Sequence, residues 1–320
     1  MLASVVVPTY RRSDLLDRCL EALAAQEIDP SACEIIVADD AASGATRQQV
    51  EGWAGLCAIP IRYACPDASH GPAAARNAGW RASRGEVIAF TDDDCLPGPR
   101  WLSEGLAALA DGAAAASGPV VVPIPERPTD YERDAAGLER AEFVTANCFV
   151  RRDVLAAVGG FDERYASAWR EDSDLQFTLL ARGDRIVRAP GAVVVHPVRP
   201  APWGVSLRQQ RKSQFNALLF KKFPESYRRR IRPSPPWDYY AMVAALATSA
   251  VTAVAGPRGI VPAAALVWAA LTARFCVRRL RRNSLAPGHV AEMVVTSALI
   301  PPLSVFWRLY GAFKFRVFFL

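Results

Sequence analysis

The chain has 320 residues, of which 51% are hydrophobic, and it carries a formal net charge of +6 at pH 7. This length allows one large domain or two small ones, each with a buried core. The seven cysteines are an odd number without a Cys-x-x-Cys pair, which favours reduced thiols and argues against a structural zinc site. Positive charge clusters in residues 208–232 and 274–282 beside apolar stretches, without a nucleic-acid-binding motif. We therefore expect a membrane surface, and no nucleic acid, as the partner of these basic residues.

The first hundred residues alternate between predicted strands and predicted helices. The chain enters a strand at Ala3 with no basic and apolar leader before it, so we expect no signal peptide. Ser13 is the predicted N-cap of the first helix. The order strand, helix, strand predicts a parallel sheet with right-handed crossovers, that is, a nucleotide-binding α/β fold. The predicted strands cover residues 3–10, 34–40, 59–63 and 87–91, and the predicted helices cover residues 11–26 and 71–84.

The same alternation continues to about residue 200. An Ala- and Leu-rich helix is predicted over residues 101–116, and a Pro-rich, charged loop over residues 123–136. A further helix, over residues 171–180, opens with the acidic pair Glu171 and Asp172. Further strands are predicted over residues 118–123, 143–150 and 192–196.

Three consecutive acids, Asp92, Asp93 and Asp94, follow the buried strand at residues 87–91. In an open α/β sheet this carboxyl edge is where ligands bind. Alternate side chains of an extended segment share a face, so Asp92 and Asp94 can point together while Asp93 points away. Two converging carboxylates favour a hard divalent cation between them, either Mg²⁺ or Mn²⁺. The alternative is a solvated acidic turn or a helix N-cap.

The character of the sequence changes after residue 200. Residues 203–223 interleave basic and large apolar side chains, as in a helix that lies on an anionic membrane surface; the alternative is an ordinary surface helix packed on the domain. Two uncharged stretches follow, over residues 239–256 and 260–273, and together they predict a transmembrane hairpin. The second stretch is short for a membrane span and is expected to extend past Arg274 to Val277. Basic runs on both sides of this hairpin place its flanks in the cytosol. A third apolar stretch, over about residues 291–310, is interrupted by Pro301 and Pro302, and we expect it to be re-entrant or interfacial.

The sequence therefore predicts three regions. They are an α/β domain over residues 1–200, a basic amphipathic interfacial segment over residues 201–235, and a membrane-associated helical region over residues 236–320.

Six short motifs occur in order within the first two hundred residues. They are Val6-Val-Pro-Thr-Tyr10, Val37-Ala-Asp-Asp40, Ala75-Arg-Asn-Ala-Gly79, Phe90-Thr-Asp-Asp-Asp94, Gly159-Gly-Phe-Asp162 and Trp169-Arg-Glu-Asp-Ser-Asp-Leu175. This order and spacing resembles that of glycosyltransferase family 2. The resemblance implies a GT-A fold, which is a Rossmann-like, mostly parallel sheet flanked by helices, and an inverting sugar transfer from a nucleotide-diphosphate donor.

The resemblance also implies roles for residues that would bind the nucleotide sugar. Asp40 would contact the nucleoside base, and Asp39 would contact base or ribose unless it caps the following turn. Arg76 would reach a phosphate or the acidic cluster, unless it is an exposed helical arginine. The remaining members of this group are Pro8, Thr9 and Tyr10, which would line the base pocket, and Asp92 and Asp93 near the sugar and phosphates.

For the chemistry, the resemblance implies a divalent metal, Mn²⁺ or Mg²⁺, held by Asp92 and Asp94. His196 would meet the metal or the diphosphate, although a lone histidine is more often structural. Asp172 would be the base that takes the acceptor proton. Glu171 would orient Asp172 or bind the acceptor. The alternative for this pair is two helix N-terminal carboxylates that interact with the helix dipole.

The acceptor is expected to be a glycan or a lipid-linked molecule at the inner face of the cell membrane, with the catalytic domain in the cytoplasm. The motif Gln-x-x-Arg-Trp of polymer-exporting synthases is missing, which favours transfer of a single sugar. Two alternatives remain open at this point. A nucleotidyltransferase would need a Gly-rich loop after the first strand, where residues 8–12 contain no glycine. A non-catalytic, membrane-anchored nucleotide-sugar-binding protein would not need the acids.

Overall fold

The computed structural model describes residues 1–257 and 259–320, and the chain divides into two compact units. The sheet unit consists of Met1–Pro123 and Ala136–Val198, and the helical unit consists of Ile124–Ala135 and Arg199–Leu320. The short segment Ile124–Ala135 therefore belongs to the helical unit, although the sequence on both sides of it belongs to the sheet unit.

The sheet unit contains ten strands in two sheets. A seven-stranded sheet has the order β3-β2-β1-β4-β8-β6-β9, and a three-stranded sheet has the order β5-β10-β7. The strands are β1 (Ala3–Thr9), β2 (Cys33–Asp39), β3 (Ile61–Ala64), β4 (Val87–Phe90), β5 (Leu96–Pro97), β6 (Ala115–Ser117), β7 (Val120–Val121), β8 (Cys148–Arg151), β9 (Ile186–Arg188) and β10 (Val194–Val195).

The first four strands of the large sheet are parallel, as the sequence predicts. In register, Val6 of β1 lies between Ile36 of β2 and Phe90 of β4. Strand β8 is antiparallel to both β4 and β6. The parallel half therefore brings the carboxyl ends of β1, β2 and β4 to one edge, and the loops that follow them carry Tyr10, Asp40 and Asp92.

Helices cover both faces of the large sheet. Val5, Val7 and Ile35 belong to one buried apolar cluster, whereas Val6 and Ile36 belong to a second. Since alternate strand residues point to opposite faces, the two clusters are the two sides of the same sheet. The first seven helices are α1 (Ser13–Ala24), α2 (Gly44–Ala54), α3 (Pro72–Ala82), α4 (Trp101–Ala107), α5 (Asp130–Ala135, in the helical unit), α6 (Arg152–Val158) and α7 (Glu171–Ala181), with 3₁₀ turns at Pro30–Ala32 and Ala136–Arg140.

The predicted helix over residues 101–116 is wrong in its second half. Helix α4 ends at Ala107, Gly112 has a left-handed φ of 77°, and Ala115 and Ala116 form β6. Both alanines are fully buried between β8 and β9, so sheet pairing overrides their high helix propensity. Ser13 is also not an N-cap, because the residue before the first helix is Arg12 and no side chain caps it.

Two further predictions are corrected in detail. The strand predicted over residues 143–150 begins only at Cys148, and the residues before it form a buried turn. The loop predicted over residues 123–136 contains α5. Helix α2 and strand β9 have no counterpart among the predicted elements.

The helical unit begins with short helices and continues with three long ones. The predicted amphipathic helix is divided into α8 (Val205–Gln209), a 3₁₀ turn (Gln210–Gln214) and α9 (Phe215–Lys222), followed by α10 (Pro224–Arg230). The long helices are α11 (Trp237–Ala255), α12 (Ile260–Leu280) and α13 (Pro287–Lys314). By length and composition, each of these three is a candidate membrane span.

Helices α11 and α12 cover the predicted hairpin. Arg258, which lies between them in the sequence, is outside the described residues. The predicted interruption at Pro301 and Pro302 does not occur, because α13 is one helix of 28 residues with both prolines inside it. Each proline removes a single backbone donor, and the remaining turns of a long packed helix keep their hydrogen bonds.

Candidate functional site

The loops after β1 and β4 are joined by a buried carboxylate. Asp93 is almost fully buried; it accepts a hydrogen bond of 2.8 Å from Thr9 Oγ1 and pairs with Arg12 Nη1 at 3.0 Å. Burial raises the pKa of Asp93, against the opposing effect of Arg12. Asp93 therefore fixes the first loop to the acidic triplet. Of the other residues predicted to line the base pocket, Pro8 is buried in β1, and Tyr10, just after β1, is half exposed.

The acids after β2 have different surroundings. Asp39 is fully buried and accepts hydrogen bonds from Ser43 N at 2.7 Å, Ala41 N at 2.9 Å and the Tyr63 hydroxyl at 3.1 Å. These bonds correspond to the turn-capping alternative for Asp39. Asp40 accepts a hydrogen bond of 2.8 Å from the backbone N–H of Gly71, which precedes α3. Its carboxyl is therefore held at the same edge of the sheet.

Arg76 on α3 connects the acidic triplet to the start of α7. Its side chain is only 3% exposed. Its Nη2 lies 2.7 Å from Asp92 Oδ1, and its Nη1 lies 3.0 Å from Glu171 Oε1. Burial disfavours the charged guanidinium, but the carboxylates of Asp92 and Glu171 outweigh it and raise the pKa of Arg76. The structure excludes the exposed-arginine alternative and places Arg76 in the acidic cluster.

The acidic pair at the start of α7 lies in a poorly solvated position. Burial raises the pKa of Glu171 to about 7, although the charge of Arg76 opposes this and that of Asp172 adds to it. Burial also raises the pKa of the half-buried Asp172, although its Oδ1 accepts a hydrogen bond of 2.5 Å from Ser173 N. Glu171 Oε2 is buried and has no hydrogen-bond partner among the described residues. The residue before this pair, Arg170, has a left-handed φ of 78°, a conformation that is strained for a side-chain-bearing residue.

The predicted metal ligands divide into two groups. His196, just after β10, places Nε2 3.4 Å from Asp94 Oδ1. Among the described residues, the ligand-type atoms of Asp94, Cys95 and His196 lie within 4.8 Å of one another, and Asp92 is not in this group. Asp92 is instead paired with Arg76. Cys95, which the sequence analysis did not single out, has a buried thiol whose pKa is raised by burial and by Asp92 and Asp94.

The donor set suits a hard divalent cation. A carboxylate and an imidazole are ligands that Mn²⁺ and Mg²⁺ accept in proteins. His196 Nδ1 is buried and has no hydrogen-bond partner in the part of the chain that the structure describes, so these residues satisfy the imidazole only partly. Asp94 and His196 therefore fit the predicted metal, whereas the Cys95 thiol lies in the apolar core.

Asn77, to which the sequence analysis assigned no role, connects α3 to the loop after α6. Asn77, next to Arg76, donates hydrogen bonds of 2.8 Å to Phe161 O and Glu163 Oε1. It accepts hydrogen bonds of 2.9 Å from Phe161 N and Trp80 Nε1. Gly160 has a left-handed φ of 79°, and a Cβ there would lie 2.4 Å from Asn77 Oδ1. Two of the motifs quoted above are thus one interlocked structure, a pairing that their spacing alone does not reveal.

Two further buried polar side chains, Asn147 and Asp174, have structural contacts. Asn147 donates to Ala192 O at 2.7 Å and Pro119 O at 2.8 Å and accepts from Trp101 Nε1 at 2.9 Å. Asp174 accepts a hydrogen bond of 3.0 Å from the Tyr165 hydroxyl.

Two family models match the chain. One, described as "Glycosyl transferase family 2", matches residues 4–161. The other, described as "Glycosyl transferase family group 2", matches residues 87–277, which is more than half of the chain.

Individual proteins are similar over different shares of the chain. Glycosyltransferase AglE of Haloferax volcanii is 28% identical over 219 residues, which are 65% of this chain and 70% of that protein. Validoxylamine A glucosyltransferase of Streptomyces hygroscopicus is 39% identical over 115 residues, but these are 36% of this chain and 25% of that protein. The solved mannosyltransferase PcManGT of Pyrobaculum calidifontis, in complex with GDP-Man and Mn²⁺, is 23% identical, with a TM-score of 0.62 over 96% of this chain and 87% of that one.

Proposed function

The chain belongs to glycosyltransferase family 2, a family of enzymes that use nucleotide-sugar donors, and from this premise we propose its reaction. It transfers a single sugar from a nucleotide-diphosphate sugar to a hydroxyl or phosphate oxygen of a lipid-linked or membrane-proximal acceptor. The transfer inverts the anomeric centre and depends on a divalent metal. The catalytic domain faces the cytoplasm at the cell membrane.

The observation that carries this proposal is the bridge made by Arg76. One guanidinium contacts Asp92, which follows β4, and Glu171, which opens α7 and precedes Asp172. The acids of the donor side and the acids proposed for the acceptor side are thereby held at one edge of the sheet. A displacement needs this arrangement, because the base must take the proton of an acceptor oxygen that lies next to the anomeric carbon of the donor.

Asp172 is the proposed base. Its pKa is raised by burial, which makes it a better proton acceptor than an ordinary aspartate. Asp172 takes the proton of the acceptor hydroxyl as the acceptor oxygen bonds to the anomeric carbon and the nucleoside diphosphate leaves. Glu171, fixed by Arg76, positions Asp172.

Asp94 and His196 are the proposed metal ligands. Asp92, two residues before Asp94, is paired with Arg76. A bound Mn²⁺ or Mg²⁺ would act as a Lewis acid that neutralises charge on the diphosphate leaving group. Asp40, Pro8, Thr9 and Tyr10 are proposed to bind the nucleoside part of the donor. Asp39 and Asp93 support these loops through the hydrogen bonds described above.

The test is release of nucleoside diphosphate by the detergent-purified chain from UDP-, GDP- and dTDP-sugars, with Mn²⁺, Mg²⁺ or EDTA and with membrane lipid extract as acceptor. GDP-mannose is tested first, since the mannosyltransferase of similar fold was solved with GDP-Man and Mn²⁺. We expect release from one donor that EDTA abolishes. No release from any donor would favour the non-catalytic binding protein instead.

Matched variants separate the two halves of the site. Asp172→Asn should lower turnover about 10²–10⁴-fold, the usual contribution of a general base, while donor affinity stays at the wild-type value. Asp94→Asn should weaken donor binding in the presence of metal. Asp153→Asn, an exposed acid on α6, should change neither quantity. Full turnover by Asp172→Asn would contradict the assignment of the base.

A further inference from the structure

Helix α13 is held at both ends by the segment that precedes the hairpin. Gly204, just before α8, donates its backbone N–H to Glu292 Oε1 at 2.8 Å, near the start of α13. At the other end of this segment, Lys221 Nζ donates to Phe315 O at 2.9 Å, one residue past the end of α13. We call Gly204–Lys222 the basic segment. It runs alongside α13 from one end to the other.

Contacts between these two ends show that the pairing is continuous. The backbone oxygen of Gln214 lies so close to Gly311 that a Cβ on this glycine would come within 2.3 Å of it. Lys314 Nζ lies 3.3 Å from Gln214 Oε1. The guanidinium of Arg211 lies 5.9 Å from the ring centroid of Trp307. The order of contacts along the basic segment follows the order along α13.

The basic segment does not cross a membrane. None of its helices is among the candidate spans of the described chain, and the first candidate begins only at Trp237. It also carries five basic side chains, and each such charge is unfavourable at the centre of a bilayer. Both ends of the basic segment therefore lie on the same side of the membrane. The basic residues are Arg208, Arg211, Lys212, Lys221 and Lys222.

We infer that α13, although long and apolar enough to span a bilayer, does not cross it and lies in the plane of the membrane surface. Its two ends contact a segment that is entirely on one side, so both ends are on that side. Only α11 and α12 cross. The partner of the outer face of α13 is the lipid interface of the membrane face from which the hairpin enters.

The middle of α13 supports this arrangement through its contact with the base of the hairpin. Ile300 packs with Met242 near the start of α11 and with Phe275 near the end of α12. Arg279, in the last turn of α12, donates to Thr296 Oγ1 at 2.7 Å. These contacts lie at the open end of the hairpin, as expected for a helix that passes beneath it.

The exposed face of α13 has the composition of a lipid-facing surface. Its exposed apolar side chains lie one to seven residues apart along the helix, and at about 100° per residue all of them fall on one side of it. Phe313 is 85% exposed. Exposed basic residues, including Arg211 and Lys221 of the basic segment and Arg316 after α13, flank this helix. Basic residues beside an apolar stripe fit an anionic headgroup layer. The stripe contains Val294, Val295, Leu299, Phe306, Leu309, Tyr310 and Phe313.

The side of the membrane is measured with single introduced cysteines in the full chain and a membrane-impermeant maleimide. Everted and right-side-out vesicles from the expressing bacterium are compared, with the wild type labelled in parallel to subtract its seven native cysteines. Arg316→Cys should react in the same vesicles as Arg229→Cys, which precedes the hairpin. Gly259→Cys, in the hairpin turn, should react in the opposite vesicles. Reaction of Arg316→Cys together with Gly259→Cys, or of all three in the same vesicles, would overturn the inference.

Depth is measured independently with nitroxide labels at Val294→Cys and Leu309→Cys, two positions on the exposed stripe. At 1.5 Å per residue these labels are about 22 Å apart along the helix axis. In-plane orientation predicts equal depths to within about 5 Å, whereas a crossing helix would separate the depths by about 20 Å. Leu246→Cys and Val254→Cys on α11 are the positive control and should differ by about 12 Å in depth. Neither measurement involves sugar transfer, so its outcome is independent of the proposed reaction.

Discussion

Arg76 is the residue on which the candidate site depends most. It is a buried cation with a carboxylate on each side, from Asp92 and Glu171. A buried ion pair is not by itself a strong source of stability, but removal of one partner leaves the others uncompensated. The cost of losing Arg76 is therefore the cost of stranding Glu171.

Arg76→Ala should lower the free energy of unfolding by about 3–5 kcal/mol, or the melting temperature by about 10 °C for a unit of this size. Thermal unfolding of the purified chain, followed by tryptophan fluorescence, measures this. Arg81→Ala is the matched control on the same helix, because its pair with Glu163 is 3.4 Å long and its side chain is 56% exposed. Such exposed pairs contribute at most about 1 kcal/mol. Equal shifts for the two variants would contradict the role assigned to Arg76.

Glu171 makes stability depend on pH in a defined direction. Its pKa is raised from 4.5 to about 7 in the folded protein, so the folded state binds the proton more tightly than the unfolded state does. The stability that this group contributes is complete below pH 4.5 and is lost as the pH rises through about 7. Carboxylates whose pKa values are lowered in the folded protein make stability rise with pH instead. Their contribution is the same in a variant and in the wild type, so it cancels in the difference between the two melting temperatures.

The difference in melting temperature between Glu171→Gln and the wild type should therefore become more positive from pH 5 to pH 8. Glutamine stays neutral over this range, whereas Glu171 acquires an unfavourable buried charge. The control is Glu27→Gln, an exposed glutamate in the sheet unit. A difference for Glu171→Gln that is flat or falls with pH would show that the carboxyl is already ionised at pH 5.

For single residues, the sequence predicts the position in the site only where the residue directly follows a strand. Asp92, Asp93 and Asp94 follow β4, so their position at the carboxyl edge was predictable. The partners of Arg76 were not, because Glu171 is 95 residues away and two arginines of α3 are equivalent by pattern. The interpretation of Asp92 and Asp94 as a metal-binding pair remains a prediction, since Asp92 is turned towards Arg76.

Among the elements, α3 packs closely against strand β1 of the large sheet. Gly79 lies against β1, where an added Cβ would come within 2.4 Å of Val6 Cγ1 and 3.3 Å of Ala38 Cβ. The absence of a side chain at this position lets α3 bring Arg76 and Asn77 over the end of the sheet. The glycine of the Ala-Arg-Asn-Ala-Gly motif thus has a packing function.

Gly79→Ala should destabilise the chain by about 1–3 kcal/mol, the usual cost of overpacking a core. Gly52→Ala, the same substitution in α2, has no atom within 4 Å of the new Cβ. It should stabilise the chain by about 0.5–1 kcal/mol, because alanine is the better helix former. Opposite shifts in melting temperature are expected, and two shifts of the same sign would refute the packing argument.

The pattern of elements was predictable where hydrophobic periodicity agreed with tertiary context. Strands β1, β2 and β4 and helices α1, α3 and α7 follow from their apolar spacing and turn residues. The alanine run over residues 113–116 has no such periodicity, and only its place between β8 and β9 makes it a strand. Likewise, Pro301 and Pro302 predict an interruption that the packing of α13 prevents.

At the scale of the whole molecule, the division of the chain differs from its sequence order. Helix α5 lies between β7 and β8 in the sequence but belongs to the helical unit. Its Asp130 accepts a hydrogen bond of 2.7 Å from Arg279 Nη2, and its Arg133 donates to Asn283 and to the backbone oxygen of Arg282. Domain boundaries drawn at single positions near residues 200 and 235 remain predictions, and a truncation after Arg232 would deprive α5 of its partners.

Arg279→Ala should release α5 and raise the rate of tryptic cleavage after Arg133 at least about tenfold, since local opening controls proteolysis. Mass spectrometry of the first fragments identifies the site. Arg278→Ala is the matched control, because this neighbour is 56% exposed and pairs with Asp238 at 3.3 Å. Cleavage within the sheet unit should keep its wild-type rate. A general increase at all sites would indicate global unfolding instead.

The position of α5 in the sequence also determines when its contacts can form during translation. Asp130 and Arg279 are 149 residues apart, and a ribosome adds about 5–20 residues per second, so Asp130 is synthesised about 10–30 s before its partner. All strands of the sheet unit have been translated by then. During this interval α5 is a linker between strands β7 and β8 whose binding partner does not yet exist. The helical unit can therefore be completed only after α12 has been translated, so its assembly is a later event in biosynthesis than translation of the sheet unit.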